Sequence, residues 1–193
     1  MGKQIHLEKV ENLFKKSPIV DFKSIERIIG KSKKSNYAKL LVSNLLKKGR
    51  IKKIGKGVYT IHDEISLAVF SFKPAYLGLQ SALSHYGLWD QETNPIIITT
   101  KKVRRGIRTL MGRNILVRNI DKKYFFGIEC IKEGNFYLPY SSIEKTFIDL
   151  IVFNQKFDEE VLKNIKKKIN KSKLLSFLKK YPLNIRKRVM KLY

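Results

Sequence analysis

The sequence predicts an α+β protein with helices first, a small mixed or antiparallel sheet with flanking helices next, and a helical tail last. Three observations predict this order. Apolar residues recur at helical spacing between residues 7 and 46. Glycine-punctuated apolar segments of strand length fill residues 95–140. Beyond residue 158 the helical spacing returns, so the fold class follows from the pattern alone.

Two helices are predicted at the amino terminus. In the first, apolar residues repeat at helical spacing over residues 7–14, and Ser17 with Pro18 ends the segment. Asp21 can cap the second helix, because its carboxylate can accept the unpaired amide hydrogens of the first turn. Gly30 supplies the stop. The buried stripe of this second helix is predicted to be Ile25, Ile28 and Ile29.

A third helix and a hairpin complete this block. The helix is capped by Ser32 or Ser35 and ends at Gly49. Residues 50–61 form two short alternating segments around a glycine-containing turn, which is typical of a hairpin. The apolar face of the third helix is predicted to be Ala38, Leu41, Val42, Leu45 and Leu46, and the opposite face Asn36, Lys39, Ser43 and Lys47.

The rest of the chain predicts a small sheet between helices. Helices are expected over residues 63–72 and 79–88, and a longer one from a cap at Ser141 or Ser142 to Phe153. A mostly antiparallel arrangement is expected for the strands, which are predicted at 95–100, 115–120, 124–131 and 136–140. Three short basic helices follow, predicted at 158–169, 172–181 and 183–192.

The charge of the chain is unusual and unevenly distributed. The formal net charge is +25 in 193 residues, and a field of that size attracts polyanions such as nucleic acid. The segments 1–61, 62–100, 101–140 and 141–193 carry +12, −3, +7 and +9. The mildly acidic stretch between two basic blocks predicts two domains that meet near residues 60–65. With the helical tail, the expected organisation is an amino-terminal domain over 1–61, an α+β domain over 62–153, and a basic helical tail over 154–193 packed on the second domain.

The order of helices and hairpin predicts a winged helix-turn-helix that binds double-stranded DNA. Amides and hydroxyls of the third helix can pair with base edges in the major groove, which assigns this role to Ser35, Asn36, Tyr37 and Lys39. Phosphate contacts are assigned to Lys33, Lys34, Lys52, Lys53 and Lys56. Two alternatives stay open, because such lysines also form ordinary solvated surfaces and winged helices also serve as protein-interaction modules.

A second basic patch follows the first strand of the sheet. It is rich in arginine, whose planar guanidinium binds phosphate through two hydrogen bonds. The patch is a candidate second nucleic-acid site, and a charged, exposed hairpin is the alternative. Its members are Lys101, Lys102, Arg104, Arg105, Arg108 and Arg113, with Arg118 nearby.

Several classes of function are not expected. Cys130 is the single cysteine, and His6, His62 and His85 lack ligand spacing, so no metal site and no cofactor are expected. Glu144 and Asp149 are five residues apart and do not share a helix face, which argues against paired catalytic carboxylates and leaves Glu144 to cap a turn or pair with a cation. We expect a cytoplasmic protein that is neither an enzyme nor bound to a membrane.

Four segments in a fixed order carry a family resemblance. They are Lys-Lys-Gly-Arg-Ile-Lys-Lys-Ile-Gly-Lys-Gly-Val-Tyr at 47–59, Tyr-Leu-Gly-Leu-Gln-Ser-Ala-Leu-Ser-His-Tyr-Gly-Leu at 76–88, the strand at 96–100, and Tyr-Ser-Ser-Ile-Glu-Lys-Thr-Phe-Ile-Asp at 140–149. In this order, over roughly residues 5–153, the chain resembles the AbiEi family of antitoxins.

The resemblance implies a transcriptional repressor and antitoxin of an abortive-infection operon directed against phage. Members of the family are similar in having an amino-terminal winged helix that binds inverted repeats in their own promoter. They are also similar in having a carboxy-terminal domain that is needed for antitoxicity. The operon partner of such antitoxins is a nucleotidyltransferase-like toxin, which the antitoxin counters without a stable complex. An antitoxin that binds its toxin directly, and a non-specific nucleic-acid-binding protein, are the alternatives.

Overall fold

The structure is a computed structural model that describes residues 2–30, 35–156 and 158–193. It divides into two compact units, Met1–Ser71 with Thr109–Arg113, and Phe72–Arg108 with Asn114–Tyr193. Each unit contains helices and a sheet. The predicted α+β class is therefore confirmed.

The first unit contains the helices α1 (Gly2–Lys16), α2 (Phe22–Ile29) and α3 (Ser35–Lys47). The predicted cap of α2 is confirmed, because the Ser24 amide donates to Asp21 Oδ1 at 2.7 Å. Gly30 ends α2 at a φ of 98°, in the region that favours glycine. The alternative cap Ser32 lies outside the described residues. One apolar core joins the three helices, with Val10, Phe14, Ile25, Ile29, Ala38, Val42 and Leu45 buried.

The sheet of the first unit has three antiparallel strands, β1 (Val20–Asp21), β2 (Lys52–Gly55) and β3 (Val58–Thr60), in the order β1-β3-β2. The hairpin predicted at 50–61 is thus confirmed. The strand β1 was not predicted. A 3₁₀ helix, Ile65–Phe72, occupies most of the segment predicted as an α-helix.

The second sheet has the strands β4 (Ala75–Leu77), β5 (Ile96–Thr99), β6 (Gly106–Leu110), β7 (Arg113–Asn119), β8 (Ile128–Glu133) and β9 (Phe136–Ser141). Their order is β6-β7-β5-β4-β9-β8, and the sheet belongs to the second unit except for the end of β6 and the start of β7, which group with the first. The sheet is mixed, which is one of the two predicted arrangements: β4 with β5 and β8 with β9 are antiparallel pairs, and β4 with β9 and β5 with β7 are parallel pairs. Parallel neighbours need long crossovers, and the segments between these strands supply them. β8 begins later than predicted because a short 3₁₀ helix, Lys122–Tyr124, precedes it.

Five helices flank this sheet: α4 (Gln80–His85), α5 (Ile143–Val152), α6 (Glu159–Lys168), α7 (Lys171–Leu178) and α8 (Leu183–Leu192). Ser142 caps α5, as one of the two predicted alternatives, and accepts from the Lys145 amide at 3.4 Å. The helix α4 is shorter than predicted and is followed by Gly87 at a φ of 64°. The helices α6, α7 and α8 pack on α5 and share one core with the sheet.

Candidate nucleic-acid interface

The helix α3 has one buried side and one polar, exposed side. Ala38, Val42 and Leu45 are at most 4% exposed and face the core of the first unit. Asn36, Lys39 and Lys47 are exposed and Ser43 is half-buried. Because residues three and four apart share a helix face, the structure brings these four predicted residues together on one side. An amide, a hydroxyl and two ammonium groups are thus presented to solvent.

The structure also shows a residue on this side that sequence analysis did not assign. The side chain of Leu40 is 57% exposed. It lies one turn after Asn36 and one turn before Ser43, among polar neighbours. The signal was present in the sequence, because Leu40 falls outside the predicted apolar face. A single exposed leucine is common on protein surfaces, so this signal does not by itself indicate a function.

Other residues predicted for the groove are differently placed or not described. Tyr37 is half-buried, and its ring centroid lies 5.8 Å from that of His6 in α1, so it faces α1 more than the polar side of α3. Ser35 is the first residue of α3, but its side chain lies outside the described residues, as do Lys33 and Lys34. Their predicted contacts stay predictions.

The lysines of the hairpin differ in their surroundings. Lys52 is half-buried and forms an ion pair with Asp63, and this lysine holds the pKa of the Asp63 carboxyl below its usual value. Lys53 and Lys56 are exposed. Within the described ranges, no ion pair engages Lys39, Lys53 or Lys56. These three ammonium groups are therefore available to an external anion, whereas the charge of Lys52 is already partly satisfied.

In the second unit, residues 101–108 form a segment that we call the arginine loop. Its backbone is held by an exposed side chain: the Asn119 side-chain amide donates to the carbonyl oxygens of Lys101 at 3.3 Å and Val103 at 3.0 Å. The Arg108 guanidinium donates to the Arg104 carbonyl oxygen at 2.5 Å and lies 5.5 Å from the Phe72 ring centroid. Arg108 therefore stabilises the conformation of the loop and also adds to its positive charge.

The pinned backbone presents four cations outward. Lys101, Lys102, Arg104 and Arg105 are exposed, and the described part of the chain offers none of them an acidic partner. An open cleft is lined by residues 104–108. Arg113, at the start of β7, is also exposed but groups with the first unit. The predicted second basic patch is therefore one fixed loop plus a separate arginine.

A buried ion pair lies elsewhere in the second unit, between Lys145 and Asp149 of α5. Tyr76 donates to Asp149 Oδ2 at 2.7 Å, and Lys145 Nζ donates to the Tyr181 hydroxyl at 3.0 Å. Burial lowers the pKa of Lys145 and raises the pKa of Asp149, while the mutual attraction of the pair opposes both shifts. Both side chains are fully enclosed, so the group ties α5 to β4 and to the tail and offers no surface to a ligand.

Glu144, the neighbour of this pair, has its own partners. It accepts from the Asn170 amide at 3.1 Å and forms an ion pair with Lys173 at 3.2 Å. The expectation that Glu144 pairs with a basic side chain is confirmed.

The described residues contain no group of three or more His, Cys, Asp or Glu side chains that could hold a metal ion. Within the same ranges, none of the helices has both the length and the apolar character needed to cross a membrane.

Comparison with known proteins shows a likeness of fold. The chain is similar to the crystal structure of the RV2827C protein from Mycobacterium tuberculosis, with a TM-score of 0.65 and 14% sequence identity. The alignment covers 95% of this chain and 74% of that one. No family model and no curated protein matches the sequence. At 14% identity the likeness shows that nearly the whole chain has a fold known from another protein.

Proposed function

We propose that this protein is a DNA-binding transcriptional repressor that acts as the antitoxin of an abortive-infection operon and binds inverted repeats in its own promoter. One observation carries the DNA-binding half: α3 presents an exposed polar face in a unit whose hairpin bears exposed lysines that form no ion pair with any described residue. Three helices followed by an antiparallel hairpin support a winged helix-turn-helix.

Each side chain of the interface has a role that follows from its chemistry. In the proposed complex, the Asn36 amide pairs with the N6 and N7 edge of an adenine, which needs one donor and one acceptor side by side. Lys39 reaches base edges or the adjacent phosphate, and Lys53 and Lys56 bind phosphates through charge. The phosphate contacts fix position and affinity, and the contacts of α3 select the sequence.

The antitoxin half of the proposal rests on the resemblance of residues 5–153 to the AbiEi family. It assigns regulation to the first unit and antitoxicity to the second. The operon partner would be a nucleotidyltransferase-like toxin encoded by the neighbouring gene, countered in the cytoplasm without a stable complex. The protein itself would carry out no catalysis.

Two substitutions separate the proposed roles. Asn36→Ala is expected to weaken binding to the promoter region about 5-fold to 150-fold, because one bidentate base contact contributes ~1–3 kcal/mol of discrimination. Its binding to a shuffled duplex is expected to stay within about two-fold of the wild type. Lys53→Ala is expected to weaken binding to the promoter duplex and binding to the shuffled duplex by the same factor, because a phosphate contact does not depend on the base sequence. Fluorescence anisotropy with the two duplexes measures this.

The matched control is Lys179→Ala, which removes an exposed lysine of the second unit. It is expected to behave like the wild type on both duplexes. Equal losses on promoter and shuffled DNA for Asn36→Ala would show that α3 does not select the sequence.

One observation favours a second candidate function. The arginine loop presents four cations on a braced backbone, and such a surface also suits an acidic protein. In this alternative the second unit binds the toxin directly. Co-purification of the two gene products at moderate salt, lost on Arg104→Ala with Arg105→Ala, would favour it over the proposal.

A further inference from the structure

We infer that Leu40 is a specificity-determining residue that contacts the 5-methyl group of a thymine in the major groove of the operator. The inference rests on the proposed function, since it takes α3 as the helix that enters the groove. It adds a base that the polar residues of α3 do not select and that sequence analysis did not foresee.

Leu40 lies on the exposed side of α3. Its side chain is 57% exposed, whereas Ala38 and Val42, two residues away on either side, are at most 4% exposed. Leu40 therefore contributes little to the core of the first unit. It stands instead on the side that carries Asn36 and Ser43, which is the side proposed to meet the bases.

The major groove of DNA presents an apolar group as well as hydrogen-bonding groups. Thymine is the base that presents an apolar methyl group in the major groove, and apolar side chains select it by covering that methyl. Every other exposed or half-buried member of this face, namely Asn36, Lys39, Ser43, Asn44 and Lys47, is polar. Among these side chains, Leu40 is the one whose contact with a methyl group would be favourable, because the contact removes apolar surface from water.

Asn36 and Leu40 are about one helical turn apart on α3. Four residues along a helix rise about 6 Å, and consecutive base pairs are about 3.4 Å apart along a strand. An adenine selected by Asn36 and a thymine selected by Leu40 therefore fall within about two base-pair steps of each other. Each half-site of the operator should therefore contain an adenine and a thymine that lie within about two base-pair steps of each other.

A groove between α1 and α3 gives Leu40 a second environment to consider. Its apolar lining includes Leu7, Tyr37 and Leu41 beside Leu40. If the groove were the docking site of another copy of the chain, Leu40 would serve self-association and its removal would change the oligomeric state. The test below measures that outcome as well.

The experiment is a deoxyuridine scan of the promoter segment that the protein protects. Each thymine is replaced in turn by deoxyuridine, which removes only the methyl group. With the wild-type chain, at least one replacement per half-site is expected to weaken binding about four-fold, the effect of losing one buried methyl-sized group. With Leu40→Ala, the same replacement is expected to change binding less than 1.5-fold, because the contact is already absent.

Leu183→Ala is the matched control, since Leu183 is 64% exposed and lies in the second unit. It should retain the full wild-type response. If Leu40→Ala shows the same deoxyuridine losses as the wild type, or if it alters the oligomeric state measured by sedimentation, the inference is overturned while the proposed function stands. A promoter region without any protected segment would overturn both.

Discussion

Replacing Asp149 with alanine is expected to lower the free energy of unfolding by about 3–5 kcal/mol. The substitution leaves the Lys145 ammonium fully enclosed without its counter-ion, and it removes the acceptor of the Tyr76 hydroxyl. Domains of this kind have a total stability of only about 5–15 kcal/mol. The second unit should therefore become marginal, and urea denaturation followed by circular dichroism measures the loss.

Two comparisons show whether the loss comes from the buried charge. Glu129→Ala breaks an exposed ion pair with Lys173 and is expected to cost at most ~1 kcal/mol. The double substitution Lys145→Met with Asp149→Leu leaves no charge buried and should be more stable than Asp149→Ala alone. A cost below about 1 kcal/mol for Asp149→Ala would contradict the structural role of the pair.

Operator binding is expected to weaken about 10³-fold to 10⁵-fold when the salt concentration rises from 50 to 200 mM, if six to ten phosphates are engaged. The expectation follows from the net charge of +25 and from exposed lysines, such as Lys53 and Lys56, that have no acidic partner among the described residues. Each neutralised phosphate contributes about −0.9 to the slope of log K against log salt. A series of anisotropy titrations gives the slope.

Two arginines of the arginine loop are expected to contribute to this salt dependence. The double substitution Arg104→Ala with Arg105→Ala is expected to make the slope of log K against log salt shallower by about two. It is also expected to weaken binding to the operator and to a shuffled duplex by the same factor, because phosphate contacts carry no sequence information. The control pair Lys163→Ala with Lys167→Ala removes the same charge from exposed positions of α6. An equal change in slope for both pairs would show that total charge, and not this loop, determines the effect.

The helices were predicted well because their signals are local. The Asp21 cap, the Gly30 stop and the three helices of the tail lie where apolar spacing and capping residues place them. Strand β1 carries no such signal. It is two residues long, and it exists because Val20 and Asp21 pair with Tyr59 and Val58 nearly forty positions away. Strand β4 is likewise three buried residues fixed by their neighbours in the sheet.

In the candidate site too, the residues whose placement depends on local spacing were predicted, and those whose surroundings depend on distant contacts were not. Amphipathic spacing placed Asn36, Lys39 and Lys47 on the exposed side of α3. Nothing local distinguishes Lys52, which pairs with Asp63, from Lys53, which is exposed without an ion pair, because that difference depends on where the chain returns after the hairpin. Lys145 is the clearest failure of local inference, since a lysine in a charged sequence is expected at the surface and this one is fully buried.

We expect the first unit to bind a defined sequence in the promoter of its own operon. The measurement is nuclease footprinting of the DNA upstream of the gene, at about 100 mM salt with excess shuffled competitor. The expected result is a protected inverted repeat whose protection is lost with Asn36→Ala and retained with Lys179→Ala. Uniform weak protection along the whole fragment, unchanged by Asn36→Ala, would contradict it.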